Sequence, residues 1–156
     1  MSIIPEWFNR ATVNNWNLGL WAHEIHQWAR RKQWWDVIDG KVVVRNLLEL
    51  LMLATTELAE AAEEVRNGMD VKAVYAVDIM GKRVPYGEAL AMSDAERLAV
   101  FGKPLPKPEG FGIEVGDTII RLLDTAGALG IDIAECMRLK MAYNETRPAR
   151  HGGKTA

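Results

Sequence analysis

Arg45-Asn-Leu-Leu-Glu-Leu-Leu-Met-Leu-Ala-Thr-Thr-Glu-Leu-Ala-Glu-Ala-Ala-Glu-Glu-Val-Arg66, followed by Asn67-Gly68, is the stretch on which the fold turns. Leu47, Leu51, Ala54, Leu58, Ala61 and Val65 recur at helical spacing, predicting a helix over 45–66 with that stripe toward the core. Asn67-Gly68 is a helix-stop pair. Glu57, Glu60 and Glu64 form a neighbouring stripe. Ala54, Ala59, Ala61 and Ala62 allow a second helix to come close.

Outward from this segment the same period recurs. Leu18, Trp21, Ile25 and Trp28 predict a first helix from about Asn15 to Arg31. A third main helix is expected from Ile113 to about Leu129-Gly130. Its polar line is Glu114, Asp117, Arg121 and Asp124, and its apolar side is Val115, Ile119, Leu122 and Ala126. Asp132 and Glu135 form a capping box for a fourth helix running to about Tyr143. Gly130 implies a tight turn and antiparallel packing between the last two. Between Asp70 and Gly112 the period breaks down. Val71 to Ile79 reads as either a short helix or a strand, and Ser93-Asp-Ala-Glu96 caps a short helix to about Val100. Pro104, Pro106, Pro108 and Gly110 make a stiff approach loop. The segment reads equally as a lid or as an insertion packed on the bundle. The expected fold is all-α: an antiparallel four-helix-type bundle, with a loop and short-helix insertion before the third main helix.

The 156 residues fit a single domain. A net charge of −2 gives no global electrostatic reason to bind nucleic acid or an acidic membrane. The start, Met1 to Trp7, lacks a basic n-region leading into an apolar stretch, and no run approaches the roughly 20 apolar residues of a membrane span. A cytoplasmic setting suits the single Cys136, which is expected as a buried thiol. No strand–turn–helix with a Gly-rich phosphate loop is present.

Chemistry concentrates in two acidic pairs, Glu57-x-x-Glu60 and Glu114-x-x-Asp117. A spacing of three puts both carboxylates of a pair on one helical face. Brought together, they form an oxygen-rich site for Mg2+, with Mn2+ as a substitute. Zinc lacks a supporting Cys/His cluster, since His23 and His26 have no third ligand at a recognisable spacing. The bland reading of each acid is a solvated surface side chain paired with Arg66 or Arg121. The complementary charge lies late in the chain. Lys140 and Asn144 are one turn apart, and Arg147, Arg150, His151 and Lys154 follow. Arg grips phosphate bidentately and Lys supplies a mobile point charge; the alternative is a soluble basic terminus. All six tryptophans, Trp7, Trp16, Trp21, Trp28, Trp34 and Trp35, precede Asp36. Most suit a core or subunit interface. Trp34 or Trp35, at the helix exit, suits stacking on a base.

Four stretches carry a family resemblance: Trp28-Ala-Arg-Arg-Lys-Gln-Trp-Trp-Asp36, Leu53-Ala-Thr-Thr-Glu-Leu-Ala-Glu60, Lys107-Pro-Glu-Gly-Phe-Gly-Ile-Glu-Val-Gly-Asp117, and Lys140-Met-Ala-Tyr-Asn-Glu-Thr-Arg-Pro-Ala-Arg-His-Gly-Gly-Lys154. In their order and separation the chain resembles the MazG-like, all-alpha nucleoside triphosphate pyrophosphohydrolases. The resemblance implies Mg2+-dependent release of pyrophosphate and a nucleoside monophosphate from a nucleoside triphosphate, foremost a dNTP. It matches Glu57, Glu60, Glu114 and Asp117 to the metal-binding, catalytic positions, and Lys140, Asn144 and Arg147 to the phosphate side. It further implies a homodimer or homotetramer whose site draws on more than one subunit. Thr56 stands where many relatives have another Glu. A phosphoribosyl-ATP or other nucleotide-derivative pyrophosphohydrolase is the second reading. A non-catalytic helical interaction module is the third.

Overall fold

The computed structural model describes residues 17–43 and 45–147. It is mainly helical. Among the described residues the helices are α1 (Leu18–Arg31), α2 (Leu47–Arg66), α3 (Tyr86–Ala91), α4 (Asp94–Phe101), α5 (Phe111–Leu129) and α6 (Ile133–Glu145). Two small antiparallel hairpins join them: β1 (Val37–Ile38) with β2 (Lys41–Val42), and β3 (Tyr75–Val77) with β4 (Arg83–Pro85). No helix among the described residues is long and apolar enough to cross a membrane. Trp7, Trp16, Arg150, His151 and Lys154 lie outside the described residues.

Two compact units divide the chain. One comprises Met1–Val44 and Leu123–Ala156, the other Arg45–Leu122, so that α5 contributes to both. In the first unit α1 starts at Asn17, whose side chain accepts from the Leu20 amide at 3.1 Å. Its buried face is Ala22, Ile25, His26 and Ala29. The expected tryptophans, Trp21 and Trp28, are only half-buried. The reason is close helix approach: a Cβ at Gly127 of α5 would sit 2.4 Å from the Ala22 carbonyl oxygen. Small side chains therefore take the centre and the indoles flank it. Gln33, with φ of 59°, closes α1, and the Trp34 amide bonds back to the Ala29 carbonyl at 3.1 Å. Asp39-Gly40, both at positive φ, then turns β1 into β2, the Asp-Gly hairpin signal.

At the other end, Gly130 (φ 65°) stops α5, with the Ile131 amide bonded to the Ala126 carbonyl at 2.9 Å. The expected cap Asp132 then accepts from the Glu135 amide at 3.0 Å to start α6. Helix α6 carries no buried residue, and Cys136 on it is exposed rather than a buried thiol.

In the second unit α2 starts at Asn46 and ends as expected at Asn67-Gly68, Gly68 having φ of 69°. The alanines of the expected core stripe are buried, but its larger side chains are not. Leu50, Ala54, Glu57 and Ala61 are buried, whereas Leu47, Leu51, Leu58 and Val65 are exposed. Helix α5 is likewise mixed: Ala126 is buried as expected, and Leu123 with it, but Ile119 and Leu122 are exposed while Glu114, Thr118 and Asp124 are buried. The segment between these helices folds on a small core of its own, Ala76, Ala89 and Phe101 with Val84, Tyr86, Met92 and Val100 packed around it. Ser93 and Glu96 make the expected capping box of α4. Arg97 is buried here and ties the segment together, donating to the Pro104 carbonyl at 2.5 Å, to the Leu90 carbonyl at 3.2 Å, and to Met92 and Asp94.

Two glycines of α5 are expected to respond oppositely to alanine. Gly127→Ala meets backbone and should cost about 1–3 kcal/mol by overpacking. Gly116→Ala meets nothing within 4 Å and should gain about 1 kcal/mol of helix propensity. Denaturant melts of the two variants check this; equal shifts would contradict the α1–α5 approach.

Candidate metal centre

Helix α2 presents Glu57 and Glu60 one turn apart, and α5 presents Glu114 in its first turn. A carboxylate oxygen from each of the three lies within 4.8 Å of the others. Glu57 and Glu114 are 7% and 4% exposed, while Glu60 is open to solvent. Asp117, the fourth expected ligand, stands half-buried one turn beyond Glu114 and is not part of that group. The charge of Glu57 nevertheless reaches it. Three convergent hard oxygens, two of them withdrawn from water, fit Mg2+ or Mn2+. Thr56 does not extend the set, because its hydroxyl donates to the Leu53 carbonyl of its own helix at 2.7 Å.

Burial acts on the protonation of Glu114 and Asp117. It pushes the Glu114 carboxyl up to about 7, opposed by Lys107 and reinforced by Glu60, Glu109 and Glu57. Burial likewise raises Asp117, helped by Glu57 and opposed by Arg121 and Lys107.

Two cations serve the carboxylates: Arg121, which the bland reading named as a partner of the acids, and Lys107, which the motifs did not single out. Arg121 lies one turn beyond Asp117, and its Nε and Nη2 are 2.8 Å and 2.5 Å from Glu57 Oε1. Lys107 Nζ donates to Glu109 Oε2 at 2.9 Å and is exposed to the charges of Glu114 and Glu60. Arg121 stood in the sequence on the polar line of its helix. Lys107 gave no signal beyond its place before the second acidic pair. A further link runs from Tyr75 of β3, whose hydroxyl donates to Glu64 Oε1 at 2.8 Å. Glu64 Oε2 is buried with no hydrogen-bond partner among the described residues.

The remaining expected site residues belong to the other unit. Lys140 and Asn144 lie exposed on α6, and Arg147 follows its C-cap Thr146. The Lys140 and Arg147 cations are 5.2 Å and 6.0 Å from the ring centroid of Tyr143, which sequence reasoning had not included. The two tryptophans part company. Trp34 is 44% exposed and edge-on to Trp28. Trp35 is 3% exposed, against the expectation of a ring available for stacking. Its indole N–H donates to both oxygens of Asp124, at 3.0 Å and 2.8 Å, and His26 Nδ1 donates to the same carboxylate at 2.8 Å. A buried carboxylate needs such donors, so Trp35 is spent on anchoring the chain that leaves α1.

No family model matches the chain, and no solved structure matches it. It is 33% identical over 122 residues to the DNA-directed RNA polymerase subunit beta' of Vibrio cholerae serotype O1, in two strains. The aligned region takes 74% of this chain and 8% of that subunit. The chain therefore spans a small fraction of the length of the curated relatives it matches.

The raised Glu114 fixes a pH signature. Between about 4.5 and about 7 the folded protein holds a proton that the unfolded chain has lost, so its contribution to stability falls as pH rises through that window. Gln at this position mimics the neutral acid. In EDTA, Glu114→Gln should gain in melting temperature relative to wild type as pH goes from 5 to 8. A difference independent of pH would show that Glu114 is not held protonated by burial.

Proposed function

We propose that this protein hydrolyses a nucleoside triphosphate to the nucleoside monophosphate and pyrophosphate in a Mg2+-dependent reaction, with dNTPs as the leading substrates. The observation that carries this reading is the convergence of Glu57, Glu60 and Glu114 on one small volume. The order of the two acidic pairs, and the late Lys140, Asn144 and Arg147, support it through the MazG-like resemblance.

Glu57, Glu60 and Glu114 would hold the cation. When bound there, a divalent ion supplies neutralisation of phosphate oxygens and acidity for water. Asp117, outside the ligand group but close in charge to Glu57, takes the proton of the attacking water at its carboxylate. Water adds at phosphorus of the α–β bridge, the bridging oxygen leaves on pyrophosphate, and one proton is released overall. By the MazG-like resemblance alone, Lys140, Asn144 and Arg147 are the phosphate-side residues. Trp34, the more exposed of the exit pair, stacks on the base.

The reading requires the antiparallel four-helix-type bundle and a homodimer or homotetramer in a cytoplasmic setting. The exposed apolar side chains Leu47, Leu51, Leu58, Ile119 and Leu122 support the oligomer, since their contiguity on regular helices is what a subunit contact buries.

Pyrophosphate release from a panel of NTPs, dNTPs and phosphoribosyl-ATP, with Mg2+ and with EDTA, tests the reading. Release is expected with Mg2+ alone, accompanied by the matching monophosphate. Glu57→Gln and Glu60→Gln should each lower kcat/KM by at least about 100-fold, the scale for removing one electrostatic stabiliser of a reacting oxygen. Wild-type turnover in either variant would overturn the metal centre. Cation binding without turnover of any nucleotide would leave the interaction module.

A further inference from the structure

The loop before α5 is built to hold one cation beside the acidic centre. Pro106 is fully buried, and its carbonyl accepts from the Tyr86 hydroxyl at 3.2 Å. Two residues past Lys107, Glu109 exchanges both backbone hydrogen bonds with Tyr75, at 3.1 Å and 2.8 Å. Gly110, with φ of 125°, lies so close to Ala73 that a Cβ there would be 2.4 Å from the Ala73 carbonyl oxygen. The backbone on both sides of Lys107 is thus pinned to the 69–106 insertion, while the Lys107 side chain itself is 59% exposed.

Lys107 therefore combines a fixed base with a mobile tip. Its present partner is Glu109, in an ion pair open to water, and such pairs contribute little. The charges of Glu60 and Glu114, from two different helices, also act on its ammonium. While those acids carry no cation, Lys107 helps to neutralise them. Once a divalent ion does so, the ammonium meets repulsion from that ion and is better placed on an anion. Phosphate is the anion that arrives with the metal in the reaction proposed above, and a compact ammonium on a four-carbon stem suits such an exchange.

We propose that Lys107 is a substrate-binding residue that rests on Glu109 and transfers to a phosphate oxygen when a nucleoside polyphosphate enters with its divalent cation. The inference rests on the nucleotide reading of the site and assigns the 69–106 insertion its purpose, which is to hold Lys107 in reach. One consequence separates this role from a structural one. Metal and nucleotide must strengthen each other's binding, because each relieves a cost the other meets at Lys107, and that coupling is reciprocal.

The test is a Mn2+ titration of the full chain by electron paramagnetic resonance, with and without a dNTP carrying an imido bridge between its α- and β-phosphates. In the wild type the analogue should tighten Mn2+ binding by about fivefold or more, within the usual range of coupling between sites. In Lys107→Met that tightening should fall to the part that direct coordination of Mn2+ by the analogue's phosphates supplies, while Mn2+ binding without analogue should stay equal or improve. Lys107→Arg should keep part of the coupling. Glu109→Gln removes the resting partner without touching the lysine and should tighten analogue binding; it decides the matter if Lys107→Met does not fold. Wild-type coupling in Lys107→Met, or unchanged analogue binding in Glu109→Gln, would overturn the role of Lys107 and leave the nucleotide reading standing. A wild type that binds Mn2+ neither alone nor with the analogue would instead overturn the nucleotide reading, and this inference with it.

Discussion

A carboxylate withdrawn from water must find a counter-charge, a set of donors or a proton. The second unit meets that demand in two of these ways, and leaves a third acid in water. Glu57 has the Arg121 guanidinium, Glu60 keeps its access to solvent, and Glu114 holds a proton up to neutral pH. The first unit answers the same demand at Asp124 with two donors, His26 and the Trp35 indole, which anchor the chain that leaves α1.

The cost of these buried acids also explains why the helices face the way they do. Glu57 on α2 and Glu114 and Asp124 on α5 point inward, and much of the leucine and isoleucine line points out. An ordinary amphipathic helix does the reverse, because apolar burial is its main source of stability. The inversion places carboxylates where apolar side chains would otherwise pack. It also leaves an outer surface with the composition of a core.

Much of this was legible in the sequence. The ends of α2 and α5, the capping box of α4 and the meeting of Glu57, Glu60 and Glu114 follow from Asn67-Gly68, Gly130, Ser93-x-x-Glu96 and the spacing of the acids. Orientation was not legible. Periodicity identifies two faces of a helix but not which one a single chain buries, and at Leu47, Leu51, Leu58 and Val65 the apolar face lies outward. The β3–β4 hairpin was left open between helix and strand. The β1–β2 hairpin went unread although Asp39-Gly40 announces it. Lys107 and Tyr75 acquire their places through contacts far apart in sequence, and no local pattern encodes those.

The private core of the insertion has a consequence for dynamics. Ala76, Ala89 and Phe101 pack among themselves, and the Arg97 staple closes within the same segment, so the segment carries its own increment of stability. Such a unit can open without the long helices melting, and its opening free energy sets how often its contacts are lost. The paired amides of Tyr75 and Glu109 belong to it. Their exchange with deuterated solvent would then follow the insertion, while amides in the middle of α2 would follow the whole molecule. Two exchange classes within one small unit would make the hold on the approach loop a property that evolution can tune separately from the helices that carry the acids.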